Sequence, residues 1–162
     1  MLSEQRLDEN ADAFHHIATE QWRETGASST TLVYLPEHGQ PTLQILLDGH
    51  LPTASHLARR ARELGAQALI LTGEAWAAPL ASANMLDLPP ADRPRPSEQA
   101  ERYPVIVTVA VRADGRTVLR ESRISDGAFG RTITPGHLKD PGPREHGVAT
   151  HLREALTRAH RS

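Results

Sequence analysis

The fold is decided in the stretch YPVIVTVAVRADGRTVLRESRI, Tyr103–Ile124, which predicts two β-strands joined by a tight turn. Val105–Val111 is apolar on both faces, which is typical of a central strand. The second strand alternates apolar and polar residues, so we expect it to have one solvent-exposed face. Between the two strands, Asp114 and Gly115 favour a type I′ turn. The stretch therefore predicts an antiparallel hairpin within a larger sheet.

Three more strands are predicted on the N-terminal side of this hairpin. TTLVYLPEHGQPTLQILLDG predicts a hairpin of Thr31–Leu35 and Thr42–Asp48, with Gly39 in its turn. LILTGEAW, Leu69–Trp76, starts as a buried strand should. LPTASHLARRARELGAQ lies between the second strand of the hairpin and LILTGEAW, and it predicts a short helix that ends at Gly65. This strand–helix–strand order predicts a right-handed parallel crossover.

Helical patterns lie near both ends of the chain. From Ser3 to Glu24 apolar residues recur at helical spacing, with Ser3 as N-cap and Gly26 just past the end. VATHLREALTRAH, near the C-terminus, also places its apolar residues on one helical face. We therefore predict one α/β (α+β) domain over 1–162, in the order α-β-β-α-β-β-β-α. Its five-stranded mixed sheet has two hairpins, one βαβ crossover and helices packed on it. In element order it resembles profilin-like folds of the roadblock type, which commonly dimerise; this analogy concerns topology only.

Two segments lack the pattern of a helix or a strand. Residues 77–96 form a proline-rich loop that is too long for an ordinary connection, which is typical of a functional lid or a mobile insertion. Residues 126–146 are rich in glycine and proline, so we expect irregular structure there as well.

Composition excludes several classes of protein. The 162 residues include no cysteine, which rules out disulfides, thiol nucleophiles and thiolate metal sites. No apolar run approaches the length of a membrane span and no signal sequence is visible, so we expect a cytoplasmic protein without membrane contact. The net charge is −2, and arginines are not interleaved with aromatic residues, which argues against nucleic-acid binding. No motif indicates a cofactor.

Glu74 and Trp76 are the most pointed candidates for a site. Strand side chains alternate, so both lie on one face, near the end where a strand of a parallel crossover leaves the sheet. A glutamate partly desolvated by the indole is suited to general acid/base catalysis. The structural alternative is an ion pair between Glu74 and an arginine, for which Arg102 is the natural candidate.

The segment that begins GEAW, crosses a proline-bearing spacer and continues PSEQAER resembles a group of uncharacterised proteins of actinobacteria and their phages. The resemblance covers about 69–111 and implies no known activity. It implies that Glu74, Trp76, Ser97 and Arg102 belong to one local structure, with Ser97 capping a turn that brings Arg102 to Glu74. The acidic residue usual after the arginine is replaced here by Tyr103 and Pro104, which puts a second charge contact in doubt.

Nine histidines raise the question of a metal site. His15 and His16 are adjacent, so on a helix they point about 100° apart and cannot chelate together. His146 and His151 are also poorly spaced for a helical metal site. A site that joins Glu74 to His50 or His137 stays open, but solvated histidines are the simpler interpretation. We predict no metal.

The sequence favours a small non-enzymatic protein-interaction or assembly module, with another protein or a second copy as partner. We expect a homodimer, formed through a terminal helix that projects from the domain. The alternative is a small enzyme that uses Glu74 as general acid or base beneath the proline-rich loop. A ligand-sensing domain is the third candidate.

Overall fold

The computed structural model describes residues 1–77, 103–127, 130–135 and 147–161. Within these ranges three helices and six strands follow one another in the predicted order, with one additional strand before the last helix. The helices are α1 (Glu4–Thr25), α2 (Ala54–Glu63) and α3 (Gly147–Ala159). The strands are β1 (Thr31–Pro36), β2 (Thr42–Ile45), β3 (Ala66–Ala77), β4 (Tyr103–Arg112), β5 (Thr117–Gly127) and β6 (Gly130–Pro135). The predicted mixed α and β class is confirmed.

The strands form one sheet in the order β2-β1-β3-β4-β5-β6, and every neighbouring pair is antiparallel. Strands β2 and β3 run in the same direction, as the crossover prediction requires, but β1 lies between them. The expected parallel pairing, and with it the mixed sheet, is therefore wrong. The reason is that β1, already paired with β2 as a hairpin, also pairs with β3 along its other edge.

Capping residues set the ends of the first two helices as the sequence predicts. The Ser3 hydroxyl accepts the Arg6 amide of α1 at 3.1 Å, and Gly26 closes the helix with a left-handed φ of 74°. Thr53 caps α2 in the same way, by accepting the His56 amide at 3.2 Å. No helix of the described residues is long and apolar enough to cross a bilayer.

The helices cover both faces of the sheet. Helix α1 buries Leu7, Ala11 and Phe14 against one face, whereas α2 and α3 pack side by side on the other. Helix α3 buries its whole apolar face within the chain; the residues are Ala149, Leu152, Ala155, Leu156 and Ala159. The expectation that the terminal helix projects to form a dimer is therefore wrong, because α2 and the sheet already cover it.

The turn of the β4–β5 hairpin differs from the predicted type. A type I′ turn requires a positive φ at both central residues, but only Gly115 has one, at 94°. The Gly115 amide donates to the Arg112 carbonyl at 2.9 Å, and the Arg112 amide donates to the Arg116 carbonyl at the same distance. These bonds describe a three-residue loop with glycine in the left-handed position. The Asp114 carboxylate accepts a hydrogen bond from the Arg116 amide, and Asp114 makes this contact without a positive φ.

Strand β6 lies inside the 126–146 segment that was expected to be irregular. Its residues pair with β5 from Ser122↔Pro135 to Gly127↔Gly130, so the prediction is wrong for 130–135. GRTITP contains β-branched residues, which favour a β-strand. The glycines and prolines around it had instead indicated irregular structure. Of the 77–96 loop, only Ala77 is described, as the last residue of β3; the expectation for the rest lies outside the described residues.

Candidate functional site

Glu74 lies where β3 runs past the end of β1. The last β1–β3 pair is Thr31↔Thr72, so beyond it β3 pairs with β4 alone. The Glu74 side chain is exposed, and its carboxylate accepts the backbone amide of Ser28 at 3.1 Å. Ser28 follows the end of α1, so this bond ties the α1–β1 connection to β3. An exposed carboxylate keeps its hydration, whereas the enzyme alternative requires one that is partly desolvated.

A close backbone approach reinforces that tie. A Cβ atom on Gly73 would lie 3.0 Å from Thr30 Oγ1 and 3.1 Å from Thr30 Cα. A side chain here would be tighter than almost all real contacts and would push the α1–β1 connection by a few tenths of an ångström, so glycine is favoured at this point. The glycine of the GEAW motif is thus explained by packing.

The other residues of the predicted constellation are only partly placed. Trp76 lies opposite Pro104 of β4 in the sheet register, and its side chain is outside the described part. Ser97 and Arg102 both lie outside the described residues, so the ion pair between Glu74 and Arg102 stays a prediction. The structure therefore brings Glu74 to Ser28, a contact that the sequence did not indicate.

A polar chain that sequence analysis missed runs beneath α1. The imidazole Nδ1 of His15 lies 2.8 Å from Thr108 Oγ1, and its Nε2 lies 2.8 Å from Ser122 Oγ. Thr108 Oγ1 in turn lies 2.7 Å from Thr72 Oγ1. One half-buried imidazole therefore joins the helix to buried hydroxyls of β3, β4 and β5.

Its surroundings favour the neutral form of His15. Burial lowers the pKa of His15 below its ordinary 6.5, and the Arg120 guanidinium lowers that pKa further. The Asp12 carboxylate, which accepts from Arg120 at 2.6 Å, opposes the shift. Because Ser122 is buried beneath the helix, the His15–Ser122 contact is suited to holding layers together and offers a substrate no access.

Other histidines also have structural partners. His151 Nε2 lies 2.8 Å from the Pro52 carbonyl and His160 Nε2 lies 3.0 Å from the Ala66 carbonyl, so both tie α3 or the residue after it to neighbouring segments. For His15 and His151, which are partly buried, the expectation of simple solvated side chains is wrong, whereas His160 is exposed to solvent. Within the described residues no cluster of three or more histidine and carboxylate groups is arranged to hold a metal ion. His137 and His146 lie outside them.

The edge strand β2 carries the densest exposed apolar surface of the described chain. Leu43 is 52% exposed, Ile45 58% and Leu47 96%, and these three residues are called the β2 edge surface below. Leu43 and Ile45 lie opposite Val33 and Thr31, so they lie on the face of the sheet that also carries α1. The alternation in TLQILL was visible in the sequence, but such a pattern normally indicates a strand with a buried face.

The two helical layers carry opposite charge. Helix α1 has six acidic residues and two arginines, whereas α2 and α3 together have five arginines and two glutamates. The sheet separates an acidic layer from a basic one.

These features offer the protein two kinds of contact surface, an apolar sheet edge and charged helical faces. Comparison with protein-family models, curated proteins and solved structures finds no match for this chain.

Proposed function

We propose that the protein is a non-enzymatic interaction or assembly module that binds protein through the β2 edge surface. The observation that carries this proposal is an exposed, uncharged edge strand with three large apolar side chains on or directly after it. Natural edge strands are usually blunted by charge, proline or a bulge, because their free backbone groups pair with other chains. Strand β2, Thr42–Ile45, contains neither charge nor proline.

The rest of the described chain makes this exposure unusual. The described part has five exposed large apolar residues, and three of them fall within 43–47. Large aliphatic side chains elsewhere in the sheet, such as Leu69 and Ile70 of β3, are fully buried. An apolar surface concentrated at one sheet edge is typical of a protein-binding site.

The test compares two isoleucines that are equally exposed. Ile45 on β2 is 58% exposed and Ile17 on α1 is 57% exposed, so Ile45→Lys and Ile17→Lys add the same charge at matched sites. We expect the full chain to bind itself, or an identified protein that co-purifies with it from its native cells. Ile45→Lys should weaken that binding at least about tenfold, which corresponds to about 1.4 kcal/mol, while Ile17→Lys leaves it intact.

Thermal melts of both variants should match that of the parent chain, because surface substitutions usually change stability by less than about 0.5 kcal/mol. Binding that survives Ile45→Lys unchanged would contradict the proposal. So would binding that both variants weaken to the same extent.

A further inference from the structure

The hydrogen bonds between β2 and β1 show which backbone groups of β2 face the open edge of the sheet. The Leu46 amide donates to the Thr30 carbonyl at 2.8 Å, and the same register places Gln44 opposite Leu32 and Thr42 opposite Tyr34. Backbone groups of alternate residues point the same way along a strand, so Thr42 and Gln44 bond to β1. The amides and carbonyls of Leu43 and Ile45 therefore point away from the sheet.

We propose that the occupant of this edge is a second copy of β2, paired antiparallel about a two-fold axis through Gln44. This inference rests on the proposed function and names its partner. Leu43 of each copy lies opposite Ile45 of the other, so the outward backbone groups form four hydrogen bonds between the copies. The six-stranded sheet then continues across the axis as a twelve-stranded one.

The sequence of β2 is self-complementary in this register. Rotation about Gln44 exchanges a leucine with an isoleucine of nearly equal volume, and it gathers four aliphatic side chains on one face. The two Gln44 side chains meet on the opposite face. There Oε1 of Gln44 already lies 3.3 Å from the Tyr34 hydroxyl, which orients the amide group. No charged residue of β2 meets its own copy across the axis.

Neighbouring residues disfavour the alternative registers. A shift toward the N-terminus centres the axis on Leu43 and places Pro41, which has no amide hydrogen, opposite Ile45. A shift toward the C-terminus requires an extended chain at Leu47, but the Gly49 amide donates to the Leu46 carbonyl at 3.1 Å and turns the chain there. The register about Gln44 alone makes all of its hydrogen bonds between residues that lie within β2, without the use of Pro41 or Leu47.

The absence of cysteine from the chain makes the register directly testable. Gln44→Cys puts a single thiol on the proposed axis, in a pair whose Cβ atoms lie about 4.5–5.5 Å apart, close to disulfide geometry. Thr42→Cys is the matched control on the same strand. Its two thiols would be four residues out of register, roughly 13 Å apart, which is too far for a disulfide.

Under mild oxidation we expect Gln44→Cys to form a covalent dimer at least about tenfold faster than Thr42→Cys or the exposed helical control Thr157→Cys. In light scattering the cysteine-free chain should show a concentration-dependent monomer–dimer equilibrium. Ile45→Pro, which removes an outward amide without breaking a bond to β1, should be monomeric. If Ile45→Pro unfolds, Ile45→Lys should give the same monomer.

The possible results separate this inference from the proposed function. A chain that stays monomeric at all concentrations, yet holds another protein through Ile45, overturns the second-copy inference and leaves the proposed function standing. Dimers in which Thr42→Cys cross-links as fast as Gln44→Cys overturn the register, and with it the inference. Self-association that is insensitive to Ile45→Lys overturns both.

Discussion

His15 shows how far a single residue can depart from what its sequence position indicates. Next to His16 on α1, it was expected to be a solvated side chain, yet its ring reaches hydroxyls of Thr108 and Ser122. Those partners lie 93 and 107 residues away along the chain. No local pattern encodes such a contact, because it depends on where α1 crosses the sheet.

We predict that His15 makes the folded protein less stable in mild acid. Its pKa is lowered in the folded state, so the unfolded chain takes up a proton as the pH falls through about 6.5 while folded His15 stays neutral. The free energy of unfolding should therefore decrease below about pH 6.5 and level off once the pH passes the lower folded pKa. Urea unfolding at a series of pH values checks this.

The matched variant is His15→Gln, which keeps a polar side chain but does not titrate. Its unfolding free energy should depend less steeply on pH than that of the parent, with the difference confined to the window below about pH 6.5. Equal slopes would contradict the prediction. His15→Ala should also cost about 1–3 kcal/mol at neutral pH, because it leaves the buried Ser122 hydroxyl without the imidazole.

Glu74 shows the opposite case. The sequence indicated it as a candidate site residue, whereas the structure shows an exposed side chain that accepts a backbone amide. Its position on β3 was predictable from the alternation of the strand. Its bond to the Ser28 amide was not, because that contact depends on the β1–β3 pairing stopping at Thr72, two residues before Glu74. The position of Glu74 on the strand follows from its local sequence, whereas its hydrogen-bond partner depends on the tertiary fold.

Among the elements, the helices were predicted best because local residues define them. Ser3, Gly26 and Gly65 mark boundaries through capping and left-handed backbone, which are short-range effects. Strand partners are set by distant segments, so the β1–β3 pairing and strand β6 were missed. The element order was recoverable from the sequence, whereas the pairing was not.

Helix α3 is held by its aliphatic residues, and we predict that Leu156→Ala destabilises the domain by about 2–5 kcal/mol. Leu156 is fully buried among α2, α3 and the sheet, so its truncation leaves a cavity. The adjacent exposed Thr157 supplies the control, and Thr157→Ala should change stability by less than about 0.5 kcal/mol. Denaturant midpoints measure both, and equal midpoints would show that α3 is not packed as described.

At the scale of the whole molecule, the charged layers and the proposed dimer make different predictions about salt. In the dimer, β4 of one copy lies seven strand spacings from β4 of the other, roughly 34 Å at about 4.8 Å each. Helix α1 packs over β3 to β6, so the acidic layers are separated by more than the Debye length of about 10 Å at 0.1 M salt.

We therefore predict that the dimer fraction changes little between about 0.05 M and about 0.5 M sodium chloride. Contact between the acidic face of one copy and the basic face of another would instead dissociate as salt is added. Sedimentation velocity at both salt concentrations distinguishes the two. A dimer that disappears at high salt would contradict the edge-strand geometry.

The position of β1 between β2 and β3 bears on how the chain folds. The β4–β5 hairpin closes over a three-residue loop, whereas β1 meets β3 through pairs from Pro36↔Ala66 to Thr31↔Thr72, which are 30 to 41 residues apart. Longer closures cost more chain entropy, so we expect the β1–β2 hairpin to dock late. Until it does, β3 exposes a bare edge with Leu69, Ile70 and Leu71, and a crowded nascent chain is most vulnerable to misassembly there.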